Sequence, residues 1–201
     1  MFMILRFTPE ITTDRRFCRY GGTVALPRPL PTDPLAEAKR QWLAHGWTDA
    51  ADGMTVVTSV MRAQQLLLSR VDAALKPFGL SFARFEVLRL LAFSRAGRLP
   101  LSSVVARLQV HATTVTSTAE RLVRDGLIRR EPHPHDGRAA MLALTDDGRA
   151  LVERATTALN DEVFSRPGMS SADAADLVAI VARLRKNAGD FTEPRPQPDP
   201  L

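Results

Sequence analysis

The stretch LPLSSVVARLQVHATTVTSTAERLVRDGLIRREPHPHDGRAAMLALT, Leu99 to Thr145, decides the fold. Its first half predicts two short helices joined by a turn. Ser102 is expected to cap a helix over Ser103 to Leu108, and Gln109, Val110 and His111 make the turn. A second helix is predicted from Ala112 to Arg124. Val115, Ala119, Leu122 and Val123 fall at i, i+4, i+7 and i+8, the spacing of one buried stripe. Gly126 stands just past the end, where a left-handed C-terminal cap favours glycine. The opposite face carries Thr113, Thr114, Thr116, Ser117, Glu120, Arg121 and Arg124.

That face is unusual for a solvated helix, which normally fills with Glu, Lys and Gln. Four of its seven residues are short hydroxyls. Short donors and acceptors suit close approach to a base edge or a phosphate, and threonine methyls can meet thymine methyls. The plain alternative is a threonine-rich face with no role.

The second half of the stretch predicts a hairpin. Leu127 to Glu131 reads as a strand, His133 to Arg138 as a turn-rich tip, and Met141, Leu142 and Leu144 as the return strand. Leu99-Pro100-Leu101 can supply a third strand. Thr145 is expected to cap the next helix, with Asp146 and Asp147 at the positive end of its dipole. Arg138 at the tip can enter a narrow minor groove, where the negative potential is deepest. Asp136, two residues earlier, can hold its guanidinium through a charge-assisted pair. A surface salt bridge of little worth is the alternative. Together the elements read as a helix-turn-helix followed by a wing, a unit suited to gripping duplex DNA.

Outward from this unit the chain is helical. One helix is predicted from Asp33 or Pro34 to His45, and a long one from Asp52 to Lys76, ended by Pro77 and Gly79. A serine-capped helix follows over Ser81 to Phe93, with Phe82, Phe85, Leu88 and Leu91 as its core face. Beyond the wing, a long helix runs from Asp146 to Phe164. Ser171 is expected to cap a last helix over Ala172 to Lys186, with Leu177, Ile180, Val181 and Leu184 as its stripe. Residues 1–33, with prolines at 27, 29 and 31, are expected to be a disordered basic arm, and 189–201 a disordered tail. The expected fold is thus mainly α with a small antiparallel β wing.

Composition sets bounds. The 201 residues are 45% hydrophobic, enough for one domain with a real core. No apolar run approaches the roughly 20 residues needed to span a bilayer, so no membrane partner is expected. Met1 to Tyr20 lacks the pattern of a secretory signal, and the single cysteine, Cys18, excludes an internal disulfide. Both fit a cytoplasmic protein. The net charge is +5, and residues 97–139 hold seven arginines against four acids, so positive charge gathers on the proposed DNA-reading unit. There is no Gly-rich phosphate loop, no Gly-x-Ser-x-Gly and no His-Glu-x-x-His, and no enzyme activity or cofactor is expected. His133-x-His135-Asp136 offers too few ligands for a closed metal site.

The run Val110 to Thr116, then Arg121-Leu122, Gly126-Leu127-Ile128-Arg129-Arg130, Asp136-Gly137-Arg138 and Leu142-Ala143-Leu144-Thr145 resembles the MarR family of bacterial transcription regulators. The resemblance covers residues 34–188 and is sharpest over 99–149. Gly137 departs from it, since the family often has a second arginine there. The resemblance implies a winged helix-turn-helix over about 80–145, with dimerisation helices from both chain ends, 34–78 and 146–188. A homodimer would set two recognition helices about 34 Å apart on a pseudo-palindromic operator.

Candidate DNA contacts are Ser102, His111, Ala112, Thr113, Thr114, Thr116, Ser117, Arg121, Arg129, His135, Asp136 and Arg138. The resemblance also implies a repressor relieved by a small aromatic or anionic effector between the dimer helices and the DNA unit. Trp42, Met61, Arg62, Phe82, Phe85 and Arg89 could line that cleft, with core packing as the alternative. The helix bearing Trp42 is similar to the urate-responsive branch, which has arginine and aspartate where this chain has Thr118 and Glu86. The other readings are a dimeric helical scaffold and a metal- or redox-responsive regulator.

Overall fold

The computed structural model describes residues 30–108, 112–133 and 136–191, with the backbone alone at 112 and 136–139. His111, His135 and nearly all of the predicted arm and tail lie outside the described residues. The chain divides into two compact units, residues 1–57 and 58–201. In the first, helix α1 (Pro34–Ala44) starts where predicted. The Asp33 carboxylate accepts from the Leu35 amide at 2.9 Å, and proline opens the first turn. Arg40 and Gln41 hold the Glu37 carboxyl down to about 2 by hydrogen bonding.

Helix α2 (Thr48–Leu75) begins four residues before the predicted Asp52. Asp49 in its first turn suits the dipole there. Trp47, just before it, packs edge-on against Trp42 and stacks on His45, with ring centroids 5.3 and 5.2 Å apart. The helix ends in a 3-10 turn, Lys76–Phe78, closed by Gly79 in the left-handed conformation, as Pro77 and Gly79 predict.

In the second unit, α3 (Phe82–Phe93) is capped by Ser81, whose hydroxyl accepts from the Arg84 amide. Strand β1 (Arg98–Pro100) follows, then α4 (Leu101–Leu108) and α5 (Ala112–Arg124). Two expectations shift here. Leu101 is the first residue of α4 rather than part of the strand, so Ser102 lies inside the helix and is not its cap. Helix α5 has the predicted bounds. It ends in a Schellman arrangement: the Gly126 amide bonds the Val123 carbonyl at 3.0 Å and the Leu127 amide bonds the Leu122 carbonyl at 2.9 Å.

Strands β2 (Ile128–His133) and β3 (Asp136–Leu144) form the wing, and the sheet order is β1-β3-β2, all antiparallel. The hairpin is longer than predicted. His133 pairs with Asp136, so Asp136, Gly137 and Arg138 belong to a strand rather than to a six-residue tip. The register slips between Pro132 and His133, which accommodates the extra residues of β3. Pro100 sits on the edge strand, where its missing N–H costs least.

Alternation puts Leu99, Ile128, Leu142 and Leu144 on the inner face of the sheet. There they join Val104, Val115, Ala119, Leu122, Phe85, Leu88 and Leu91 in one core with Val152, Ala155 and Leu159 of α6 (Asp146–Leu159). Thr145 caps α6 as expected, accepting from the Gly148 amide at 3.0 Å. Its own hydroxyl points at two carbonyls, Gly126 at 2.8 Å and Leu127 at 2.9 Å. The helix widens into a π turn, Asn160–Phe164, beside which Arg70 donates to the carbonyls of Glu162 and Arg166.

The last helix, α7 (Ser171–Asn187), is capped by Ser170, one residue before the predicted Ser171. It has no buried residue, and most of its predicted stripe lies open: Leu177, Ile180 and Leu184 are 40–60% exposed, and Val181 is half-buried. No described helix is long and apolar enough to cross a membrane.

Candidate nucleic-acid interface

The inner stripe of α5 is buried as its spacing requires. Val115, Ala119 and Leu122 are 0–2% exposed, with Val123 partly packed against the core. Thr118 is buried with them. It lies three residues from Val115 and four from Leu122, so the same periodicity could have placed it. The opposite face points to solvent: Thr113, Thr114, Ser117, Glu120, Arg121 and Arg124 are exposed and Thr116 is half-buried. The Ser117 hydroxyl donates back to the Thr114 carbonyl at 3.1 Å, which leaves its oxygen to act as an acceptor.

Contacts from three directions fix the angle of this helix. Arg84 of α3 pairs with Asp125, immediately past the end of α5, and donates to the Gly79 carbonyl at 3.0 Å. The Leu122-to-Leu127 backbone bond turns the chain into β2. The buried stripe packs on α3 and α4. Ser102 is exposed on α4 and Arg129 is exposed on β2. Ala112 opens α5, and Asp136 and Arg138 lie on β3. The structure therefore sets the exposed face of one helix and the ladder of a hairpin in a single compact unit.

The structure places the predicted effector residues in several separate surroundings. Phe82 and Phe85 stack with centroids 6.3 Å apart, and Phe85 belongs to the core. Arg89 lies over the Phe93 ring at 5.1 Å and pairs with Glu153 of α6 at 2.9 Å. Met61 and Arg62 are exposed on α2, and Trp42 is half-buried in the other unit.

A cavity of about 20 Å³, room for one water, lies instead between α3, α4 and α5, lined by Glu86, Thr114 and Thr118 among apolar neighbours. Burial raises the Glu86 carboxyl above its usual range. The folded chain then holds that proton more tightly than the unfolded chain. The resulting stability is full in acid, below the ordinary carboxylate value, and is lost as pH rises through the raised one. Glu86→Gln is expected to raise the thermal midpoint at neutral pH, with the gain shrinking toward zero in acid. A gain of equal size across the pH range would show that ionisation is not its cause.

The fold and this surface define a winged helix-turn-helix protein. A family model described as the MarR family matches residues 78–139. The chain is 46% identical to Sco5413, a MarR family transcriptional regulator from Streptomyces coelicolor, across 71% of this chain and 99% of that one, with a TM-score of 0.64. It is 31% identical to BpsR of Bordetella bronchiseptica, covering 66% and 92% of the two chains at a TM-score of 0.57. Sco3205 of Streptomyces coelicolor, solved in complex with DNA, is 25% identical over 68% of this chain and 88% of its own, at a TM-score of 0.60. The chain belongs to the MarR family. It is a DNA-binding transcription regulator and not an enzyme.

Proposed function

We propose that the protein is a cytoplasmic homodimeric repressor that reads a pseudo-palindromic operator through α5 and the wing. The observation that carries this reading is the outer face of α5, hydroxyls and arginines opposite a fully buried stripe. Residues 80–145 form the DNA-reading unit, and the helices within 34–78 and 146–188 the dimer. Ser102, Ala112, Thr113, Thr114, Thr116, Ser117 and Arg121 contact DNA from the helices, and His111 does so from the turn predicted between them. Arg129, His135, Asp136 and Arg138 do so from the wing.

The dimer is supported by apolar side chains that lie exposed among the described residues. They include Val60 and Met61 on α2 and Leu177, Val178, Ile180 and Leu184 on α7. The effector is a small aromatic acid. BpsR, whose DNA binding is regulated by 6-hydroxynicotinic acid, supports this class. Arg89 supports it too: its Nε is buried with no hydrogen-bond partner among the described residues.

A gel-shift titration on the chain's own upstream DNA tests the reading, with and without 6-hydroxynicotinic acid. Thr116→Ala is expected to cost about 1–3 kcal/mol on the operator and nothing on unrelated duplex. Arg121→Ala is expected to weaken both alike and flatten the salt slope by about 1. Unchanged affinity in both variants would remove α5 from the interface.

A further inference from the structure

The sheet face opposite the core has an ordered charge pattern. Arg98 of β1 and Arg129 of β2 both pair with Ala143 of the central strand, so the two arginines flank one small residue. Glu131 lies two residues further along β2 and so shares that face. Its Oε1 accepts from Arg129 Nε at 2.6 Å, and its Oε2 stands 3.6 Å from a terminal nitrogen of Arg98. The carboxylate is 25% exposed, whereas the two arginines are 61% and 52% exposed. The bond to Arg129 takes the Nε edge and leaves its two terminal nitrogens without a partner among the described residues.

We propose that Glu131 is a positioning residue for DNA binding, setting Arg129, with Arg98 beside it, as a paired phosphate clamp on the outer face of the wing sheet. The proposal rests on the reading of Arg129 as a DNA contact. A long cation on an exposed strand loses rotamer freedom when it grips a phosphate. A carboxylate that already holds Nε removes part of that cost and aims the remaining nitrogens outward. Arg129 first, then Arg98, also pulls the Glu131 carboxyl below its usual range, so the anion persists further into acid than that of a free glutamate. The competing expectation is simple neutralisation, in which Glu131 cancels positive charge and weakens DNA binding. The two predict opposite signs.

Binding of the chain's own upstream duplex, titrated at several salt concentrations, separates them. Glu131→Ala is expected to weaken binding roughly threefold to fivefold and to flatten the salt slope by about 1. Glu131→Gln, which can still accept from Nε, should recover part of the loss. On an Arg129→Ala background, Glu131→Ala should lose most of its effect. Binding as tight as wild type or tighter in Glu131→Ala, at an unchanged thermal midpoint, would overturn the proposal, as would a full-size loss on the Arg129→Ala background. Undiminished binding by Arg129→Ala alone would instead sink the reading of Arg129 on which the proposal rests.

Discussion

Gly148→Ala is expected to destabilise the protein by about 3 kcal/mol or more and to abolish operator binding at growth temperature. A β-carbon at this position would stand 2.0 Å from the Leu127 carbonyl oxygen and 3.0 Å from both its carbon and the Leu144 Cδ1. The nearest obstacle is backbone at the entry to β2, so no rotamer change relieves it. Either α6 lifts off the sheet or the wing shifts against α5. Both routes open the core around Leu144 and loosen the Gly148 amide that α6 donates to its cap. Gly53 of α2 is the matched control. Nothing lies within 4 Å of a β-carbon there, and alanine should gain about 1 kcal/mol from helix propensity. Urea denaturation at constant slope checks both. A Gly148→Ala midpoint equal to wild type would mean the start of α6 is not seated on the Leu127 backbone.

The second large effect is on assembly. Helix α7 has no buried residue, yet Val178, Leu184 and Ile180 are 69%, 60% and 55% exposed. Ile180→Glu is expected to leave the chain monomeric, because in the proposed dimer a carboxylate at the centre of this apolar patch must be desolvated. Operator affinity should fall about 100-fold or more, since the second half-site is no longer held at high effective concentration. Light scattering and gel shift on the same preparation measure the two losses together. A variant that stays dimeric at micromolar concentration would place the dimer contact elsewhere.

Local pattern made much of this fold legible. The α5 stripe, the Gly126 cap, the Ser81 and Thr145 caps and the Pro77-Gly79 stop each depend on residues a few positions apart, and all stand where expected. The structure departs from local pattern where composition competes with pairing. Pro134 and Gly137 made 133–138 look like a turn, but the ladder from His133 to Asp136 claims most of it. Ser102 has the right chemistry for a cap, but Leu101 already continues from β1 into the helix.

The candidate site was legible to the extent that it follows helical spacing. Glu86, Thr118 and Glu131 gain their roles from contacts across elements: α3 against α5 for the first two, and the order β1-β3-β2 for the third. The α7 stripe is apolar as its spacing predicts, but that periodicity carries no information on whether its cover comes from the same chain.

The Thr145 hydroxyl has a consequence for how this regulator can respond. Its one proton is shared between the Gly126 and Leu127 carbonyls, just past α5 and just before β2, and its oxygen receives the amide that opens α6. Three segments thus meet at a single side chain, and a swivel of any one disturbs a contact shared with the others. In the dimer proposed above, an effector is therefore expected to change the gap between two reading heads before it changes the shape of either, like a caliper whose jaws keep their form.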